Sequence, residues 1–346
     1  MKYPNVLVVA TSHKTRGGIA AVVRIHKSGK HWDLFHCHWI ETHRDGTPIY
    51  KLWYLFIALA QYLVLLPFYD IVHIHIATRA SARRKQLFLY PAKWLQKKVI
   101  LHFHPPDEKF LTEQNGLALY QKLFDMADLV LVLSTHWQQW IQQTFAVQTE
   151  IKVLYNPYPK VNRRDDLRQE NILFAGVLID KKGYEVLIRA FARIHPSHPH
   201  WRLVFAGSGE IQKAQNLIAE LGIDQNVDFL GWVQATEKEN AFHNASIFCL
   251  PSDGEGFPMA VLDAWAYGIP CVMTPVGGIP DVVKDGVNGM LFPIRDDQVL
   301  AEKLEILVTD KERRAEIVSG ADKLIKKMFD IDQISKALDK IYTELS

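Results

Sequence analysis

The stretch that decides the fold is Ile247–Pro270, which reads IFCLPSDGEGFPMAVLDAWAYGIP. Its first four residues form a short apolar run bounded by a turn, which predicts a buried strand. A helix is then predicted to begin near Phe257 and to end at Gly268, because glycine accepts the positive φ that suits a helix C-terminus. Two carboxylates, Glu255 and Asp263, lie on either side of the start of this helix.

The start of that helix has the properties of a phosphate site. A helix N-terminus carries unpaired N–H groups and a partial positive charge of about half a unit, and Gly254 and Gly256 let a ligand approach the backbone closely. Two carboxylates beside a phosphate site are unexpected unless they bind hydroxyl groups, such as those of a sugar and a ribose. The pattern therefore points to a nucleotide-sugar. The same residues also fit an ordinary strand–loop–helix connection whose glutamate caps the helix.

The stretch resembles the signature of retaining glycosyltransferase family 4, two acids separated by seven residues, in the form Glu-Gly-Phe-Pro followed by an acid at position 263. Residues 274–281 and 285–292 resemble the same family at its usual spacing. Two positions depart from it: Asp263 replaces a glutamate, and Val177 replaces an arginine. The resemblance implies an α/β protein of the GT-B fold, with two Rossmann-like doubly wound parallel-sheet domains facing a cleft.

Length and strand–helix alternation lead to the same architecture. The 346 residues suit two domains of ordinary size, and alternating strands and helices predict doubly wound parallel sheets. An acceptor-binding domain is expected over residues 1–157 and a nucleotide-sugar domain over 158–329. The last helix, residues 330–346, is expected to pack back on the first domain, as it does in glycosyltransferases of this architecture.

Charge is distributed unevenly along the chain. Residues 1–155 contain 18 Lys and Arg against 10 Asp and Glu, a net charge of +8, and the remaining residues contain 22 against 28, a net charge of −6. The basic half suits an anionic acceptor or a membrane surface. No zinc-finger or RNA-binding signature is visible, so nucleic acid is not an expected partner.

The three cysteines lack metal-ligand spacing and are interpreted as buried thiols in a reducing compartment. Since no signal peptide is recognised either, the expected location is cytoplasmic, with peripheral contact at the inner face of a membrane.

The resemblance also implies roles for individual residues. Glu255 is expected to orient the sugar hydroxyls, His104 to face the transferred sugar and Lys182 to neutralise the departing diphosphate; these are the predicted catalytic residues. Asp263 is expected to hold the ribose. The full set of predicted donor-binding residues is Gly17, Gly18, Asn156, Lys182, Gly256, Phe257, Pro258, Met259, Ala260 and Asp263.

Three more histidines end or precede the ends of apolar strands. His75 is a weaker candidate at the rim of the site, whereas His73 and His102 are interpreted as packing residues.

No metal or other cofactor is expected. The resemblance implies that the departing diphosphate is stabilised by Lys182, by the Gly17-Gly18 loop and by the start of the helix near Phe257. The stretch 330–332 has the Asp-x-Asp form of metal-dependent glycosyltransferases, but its place at the start of the last helix indicates helix capping. The donor is expected to be a UDP- or GDP-linked sugar, and the acceptor a glycan or a polyprenyl-diphosphate-linked glycan.

Lys51–Leu66 is apolar on nearly every side and stops before Pro67. It is shorter than the ~20 residues that span a bilayer, so the sequence favours a core helix, with partial burial in a membrane interface as the alternative. Nearby basic residues suited to anionic head groups are Arg79, Arg83, Arg84, Lys85, Lys93, Lys97 and Lys98.

The predicted function is retaining transfer of a sugar from a nucleotide-sugar to a glycan or lipid-linked glycan, in surface polysaccharide or glycoconjugate biosynthesis. Two alternatives stay open. One is a nucleotide-sugar epimerase on the same fold. The other is a non-catalytic partner subunit, which Val177 and Asp263 favour and which the intact Glu255, Lys182 and His104 oppose.

Overall fold

The computed structural model describes residues 3–113 and 116–346. The chain divides into two compact units: unit 1 comprises Met1–Pro157 and Met328–Ser346, and unit 2 comprises Tyr158–Lys327. Each unit contains one six-stranded sheet, and all pairings between the strands are parallel. The prediction of two parallel-sheet domains flanked by helices is confirmed.

Unit 1 is built on the strands β1 Val6–Ala10, β2 His38–Glu41, β3 Ile71–Ile76, β4 Lys98–Phe103, β5 Leu129–Val132 and β6 Ile151–Val153, in the order β2-β1-β3-β4-β5-β6. Its helices are α1 Gly18–His26, α2 Lys30–Leu34, α3 Pro48–Leu65, α4 Arg79–Trp94, α5 Glu108–Glu113, α6 Leu117–Met126, α7 Thr135–Thr144 and, from the end of the chain, α15 Ile331–Leu345. Strands β1 and β3 are buried at every position, which explains the continuous apolar run of β1, whereas β3 contains the buried His73 and His75 among its apolar residues.

Helix α15 belongs to the core of unit 1. Its residues Ile334, Leu338, Ile341 and Tyr342 recur at helical spacing and pack with Val6 and Val8 of β1 and Val23 of α1. The carboxylate of Asp330 caps the helix by accepting a hydrogen bond from the backbone N–H of Asp332 at 2.8 Å. The Asp-x-Asp stretch therefore has the capping role that its position predicts.

Unit 2 contains the strands β7 Asn171–Ala175, β8 Arg202–Ala206, β9 Val227–Gly231, β10 Ile247–Leu250, β11 Cys271–Met273 and β12 Met290–Leu291, in the order β12-β11-β10-β7-β8-β9. Its helices are α8 Tyr184–Ile194, α9 Ile211–Glu220, α10 Ala235–Asn244, α11 Met259–Ala266, α12 Ile279–Val282, α13 Asp297–Thr309 and α14 Lys311–Met328. Strand β10 lies in the middle of the sheet, so the turn that follows it opens at the carboxyl edge, where ligands of such sheets bind.

The residues Trp32–His38 predict a second strand from their sequence, and this prediction is wrong. Lys30–Leu34 forms helix α2, and the strand begins only at His38. Gly29 precedes the helix, and Trp32 and Phe35 are buried one helical turn apart. A short apolar run fits helical or strand periodicity equally well, which is why the sequence alone misassigned it.

Helix α3 is not a core helix, so that interpretation is also wrong. Only Ala58 and Tyr62 of its residues are buried. Together with the turn that follows it, the segment Pro48–Phe68 is long and apolar enough to cross a membrane by length and composition, and 17% of its most apolar window is buried. The segment is longer than predicted because the helix begins at Pro48, three residues earlier, and a turn of 3-10 helix, Leu66–Phe68, follows it.

Candidate functional site

The loop between β10 and α11 carries the candidate site of unit 2. Helix α11 begins at Met259, two residues later than predicted, with Pro258 as its N-cap residue. It ends as predicted, because Gly268 follows it with a φ of 71°. Of the predicted donor-binding residues here, Gly256, Phe257 and Pro258 are buried, whereas Met259 and Ala260 are half-buried at the first turn of the helix.

Glu255 is buried and held by two side chains. The ammonium of Lys182 forms an ion pair with its Oε1, and the hydroxyl of Ser252 donates a hydrogen bond to the same oxygen at 2.7 Å. Lys182 ends a turn of 3-10 helix, Asp180–Lys182, which immediately precedes α8. Two predicted catalytic residues thus form one charge-compensated pair, which satisfies the requirement that a buried charge be paired.

Two glycines allow neighbouring backbones to approach this loop. Gly183 has a φ of 67°, and a Cβ added to it would lie 1.9 Å from the carbonyl oxygen of Pro251. Gly277 has a φ of 56°, and a Cβ there would lie 2.0 Å from the carbonyl oxygen of Glu255. Both positions therefore require glycine for conformation and for space, and they hold Glu255 in place from two sides.

Asp263 lies on the second turn of α11 with its side chain mostly buried. The ammonium of Lys238, on α10, lies 2.7 Å from its Oδ2 and 5.5 Å from the centroid of the Phe242 ring. Asp263 and Glu255 thus each have a lysine partner, and both are at the start of the same helix.

Arg295 joins the two loops that position Lys182 and Glu255. Its guanidinium contacts both carboxylate oxygens of Asp180 at 2.8–2.9 Å and also pairs with Asp253. The hydrogen bonds from Arg295 hold the pKa of Asp180 below its usual value. The backbone N–H of Asp253 donates to the carbonyl of Lys181 at 2.8 Å, which ties the same two loops together.

In unit 1, Gly17 and Gly18 are exposed at the beginning of α1, where Gly17 has a φ of 133° and serves as the N-cap residue. A Cβ on Gly17 would meet no atom within 4 Å among the residues described. Glycine is therefore favoured there by its backbone conformation and not by lack of space. Asn156 is buried, and its Oδ1 has no hydrogen-bond partner within the described part of the chain.

His104 follows β4 and is buried, and its Nε2 lies 2.9 Å from Nδ1 of His75. Burial, with a contribution from Lys85, lowers the pKa of His104 to about 3, so its imidazole is neutral at pH 7. His75 is itself buried, which corrects its expected position at the rim of a site.

Lys85, expected among the residues suited to lipid head groups, is also buried, and its ammonium donates to the carbonyl of Val9 at 3.1 Å. Lys93 is held by the carboxylate of Asp128 at 2.8 Å.

Sequence reasoning missed three residues of the unit 2 site: Ser252, Lys238 and Arg295. Ser252 could have been found, because it lies only three residues before Glu255 in the same turn, where its hydroxyl reaches the glutamate carboxylate. Lys238 and Arg295 come from segments distant in sequence and have no local signal. Val177, where the resembling family has arginine, is 41% exposed.

Comparisons with known proteins place the chain among glycosyltransferase-like sequences and folds. The family model described as "Glycosyl transferases group 1" matches residues 160–324, which lie within unit 2. The chain is 33% identical over 225 residues to an exopolysaccharide phosphotransferase of Streptomyces coelicolor, a match that covers 63% of this chain and 23% of the relative. It is 25% identical over 331 residues to an uncharacterized glycosyltransferase of Methanocaldococcus jannaschii, covering 90% of this chain and 75% of the relative. The chain thus spans only about a quarter of the length of the first of these relatives.

Solved structures show the same fold. The complex of Anabaena HepE with UDP and glucose superposes with a TM-score of 0.78 at 18% identity, covering 99% of this chain and 100% of the other. This similarity confirms the predicted GT-B fold with two Rossmann-like parallel-sheet domains.

Proposed function

We propose that this chain, whose residues 160–324 match the family model of glycosyl transferases group 1, transfers a sugar from a nucleotide-sugar to a glycan or lipid-linked glycan. The observation that carries the proposal is the buried Glu255 in the turn before α11, paired with Lys182 and supported by Ser252. A UDP-linked donor is favoured, because a protein of the same fold has been solved with UDP and glucose.

Lys182 and Glu255 together can serve the two groups that separate in the reaction, the diphosphate and the sugar. The ammonium of Lys182 can neutralise the diphosphate as it departs. Once the diphosphate attracts Lys182, Glu255 keeps its hydrogen bond from Ser252 and has acceptor capacity for the sugar hydroxyls. The N–H groups at the start of α11 add a partial positive charge near the phosphates.

The proposed reaction retains the anomeric configuration and requires no metal ion. The bond between the anomeric carbon and the β-phosphate oxygen breaks, and a bond from that carbon to the acceptor oxygen forms on the same face of the sugar. The proton of the acceptor hydroxyl goes to an oxygen of the departing diphosphate. Glu255 is thus a residue that orients the sugar, and it does not act as a nucleophile. His104, Gly17, Gly18 and Asn156 are proposed as the contributions of unit 1 to donor binding.

The test is sugar transfer from a panel of UDP-, GDP- and ADP-sugars to lipid-linked and free glycans, in the presence of EDTA. We expect turnover with one nucleotide class, and an NMR spectrum of the product that shows the donor's anomeric configuration. Glu255→Ala is expected to lower turnover at least about 100-fold, whereas Glu220→Ala, which removes an exposed carboxylate of the same unit, leaves it unchanged.

Other outcomes contradict the proposal in distinct ways. Isomerisation of the donor sugar without an acceptor indicates an epimerase. A wild-type protein that neither binds nor turns over any nucleotide-sugar indicates a non-catalytic partner subunit. Activity that disappears in EDTA and returns with a divalent cation overturns metal independence alone.

We also propose that unit 1 lies on a membrane surface. The outer face of α3 presents large apolar side chains at helical spacing. Five of them are at least 60% exposed: Ile49, Leu52, Trp53, Phe56 and Val64. On α4, Leu87, Tyr90 and Trp94 are exposed at i, i+3 and i+7. Monomeric soluble proteins rarely expose a continuous apolar surface of this kind, and aromatic residues on it suit the interface of a bilayer.

The contacts of α3 favour a helix that lies on the membrane over one that spans it. The hydroxyl of Tyr62 donates to the carbonyl of Phe88 at 2.6 Å, and that of Tyr54 donates to the carboxylate of Glu41 at 2.6 Å. One face of the helix is therefore attached to unit 1 while the opposite face is apolar and exposed. The +8 charge of residues 1–155 adds attraction to anionic lipids.

Sedimentation with vesicles tests this surface. Wild-type protein is expected to sediment with vesicles of phosphatidylglycerol and phosphatidylcholine, and less with phosphatidylcholine alone. The double variant Trp53→Ser/Phe56→Ser is expected to stay in the supernatant, while Ile306→Ser, at an exposed apolar position of unit 2, still sediments. Unchanged binding of the double variant overturns the proposal, and dimerisation that the same variant abolishes assigns the surface to a second copy of the chain.

A further inference from the structure

Four histidines on β3, β4 and α1 form a cluster in the core of unit 1. His73 and His75 alternate along β3, and His75 is in register with His102 on β4. His26 is the last residue of α1 and lies over the same region, with its ring centroid 6.4 Å from that of His75 and 6.5 Å from that of His102. All four side chains are buried.

The three strand histidines have the spacing of metal ligands. One ring nitrogen from each of His73, His75 and His102 lies within 4.8 Å of the others. Nε2 of His73 and Nδ1 of His102 are 3.3 Å apart. A tetrahedral zinc ion with nitrogen ligands at 2.0–2.1 Å holds those nitrogens about 3.4 Å from one another, so small rotations of the rings bring the three into position.

Two of the three imidazoles are oriented as metal ligands usually are. Nδ1 of His73 lies 2.7 Å from the hydroxyl of Tyr342, and Nδ1 of His75 lies 2.9 Å from Nε2 of His104. A ligating histidine commonly uses its second nitrogen in such a contact, which fixes the ring and its tautomer. The Nε2 atoms of His73 and His75 are the ones that this arrangement leaves for a cation.

His26 provides an independent observation. Within the described residues, neither of its ring nitrogens has a hydrogen-bond partner, although both are buried, and Nε2 of His102 is in the same situation. Burying a polar nitrogen without a partner costs free energy of roughly 1–3 kcal/mol. Each imidazole gives one nitrogen to a cation, so a cation among these rings would engage at most one such nitrogen of each ring.

We propose that His73, His75 and His102, with the buried His26 beside them, bind one divalent transition-metal cation of the zinc type in the core of unit 1. Imidazole nitrogen is a ligand that zinc, nickel and copper favour, whereas calcium and magnesium favour oxygen. The cation crosslinks β3 and β4 and has a structural role. Sugar transfer, as proposed above, does not use it.

The test measures metal binding on the full chain without a polyhistidine tag. After exposure to Zn²⁺ and dialysis, elemental analysis is expected to give one zinc per chain, and zinc is expected to raise the melting temperature of EDTA-treated protein. Co²⁺ in the same site is expected to give visible absorption bands typical of tetrahedral coordination.

A pair of tyrosine variants separates metal binding from general stability. Tyr342→Phe removes the hydroxyl that contacts His73 and is expected to weaken zinc binding about 10-fold to 100-fold. Tyr120→Phe removes a hydroxyl of another buried tyrosine of unit 1, which donates to the carbonyl of Ala77 at 2.8 Å, and is expected to leave zinc affinity unchanged. His102→Phe is expected to abolish binding.

Wild-type protein that retains no zinc overturns the proposal. So does equal weakening by the two tyrosine variants, or a folded His102→Phe variant that binds zinc like the wild type. If His102→Phe does not fold, the zinc content of the wild type and the tyrosine pair decide the question.

Discussion

The ammonium of Lys238 lies 2.7 Å from Oδ2 of Asp263, so a lysine on α10 compensates the carboxylate that the resemblance assigns to the donor ribose. Asp263 is one methylene shorter than the glutamate of the resembling family, and Lys238 fixes its direction. Asp263 therefore has a defined orientation, with its Oδ2 paired to Lys238.

The ribose assignment predicts a selective loss of affinity. Asp263→Asn is expected to weaken UDP binding about 10-fold or more, since hydrogen bonds to charged groups contribute roughly 1.5–3 kcal/mol. Isothermal titration calorimetry with UDP and with 2′,3′-dideoxy-UDP measures it. The dideoxy nucleotide lacks the hydroxyls and is expected to bind the wild type and the variant equally; an equal loss for both nucleotides would contradict the assignment.

A second prediction uses two glycines with nearly identical backbones. Gly183 and Gly222 have φ values of 67° and 68°, but a Cβ on Gly222 meets nothing within 4 Å, whereas one on Gly183 would lie 1.9 Å from the carbonyl oxygen of Pro251. Gly222→Ala is expected to lower the melting temperature by about 2–8 °C through backbone strain alone. Gly183→Ala is expected to lower it further and to weaken UDP binding, because the loop that carries Glu255 must move. Equal melting temperatures for the two variants would show that the close contact is not maintained.

The buried histidines of unit 1 predict loss of stability in acid. Burial lowers the pKa of His73 to about 3 and that of His31 to about 4, and it also lowers the pKa values of His26, His75 and His102. The unfolded chain binds these protons near pH 6.5, so the free energy of unfolding is greatest above that pH and falls as the pH drops from about 6.5 towards 4. Urea unfolding in EDTA at pH 7.5 and pH 5.0 measures this decrease.

A histidine variant checks the cause. His31→Gln removes one buried imidazole and is expected to reduce the difference in unfolding free energy between the two pH values. His200→Gln, at an exposed position, is expected to keep the wild-type difference. A stability that rises as the pH falls over this range would show that the buried histidines do not control it.

The terminal helix predicts the stability of unit 1. Leu338 of α15 is 1% exposed and packs with residues from β1 and α1, so Leu338→Ala is expected to cost about 2–5 kcal/mol of unfolding free energy. Amide hydrogen exchange is expected to show reduced protection of β1 and β3. Lys336→Ala, at an exposed position two residues earlier on the same helix, serves as the control. Identical exchange in the two variants would exclude a core role for α15.

Much of the fold was accessible from the sequence, because most buried parallel strands carry largely apolar runs that are visible without any neighbour. The β10–α11 segment is the clearest example: its strand, its glycine turn and its terminal Gly268 were all identified. The errors fell where local pattern is ambiguous. Trp32–His38 fits two periodicities, and the apolar content of α3 does not reveal which of its faces meets the protein.

The sequence by itself determined the two parallel sheets, the glycine-rich turn and the carboxylates at the start of α11, because these depend on residues that are neighbours in the chain. Only the tertiary structure decided which charges meet. Lys182 reaches Glu255 across 73 positions, Arg295 reaches Asp180 across 115, and His73 reaches Tyr342 across 269. Such pairings depend on how strands and helices pack in three dimensions, and no local spacing encodes them.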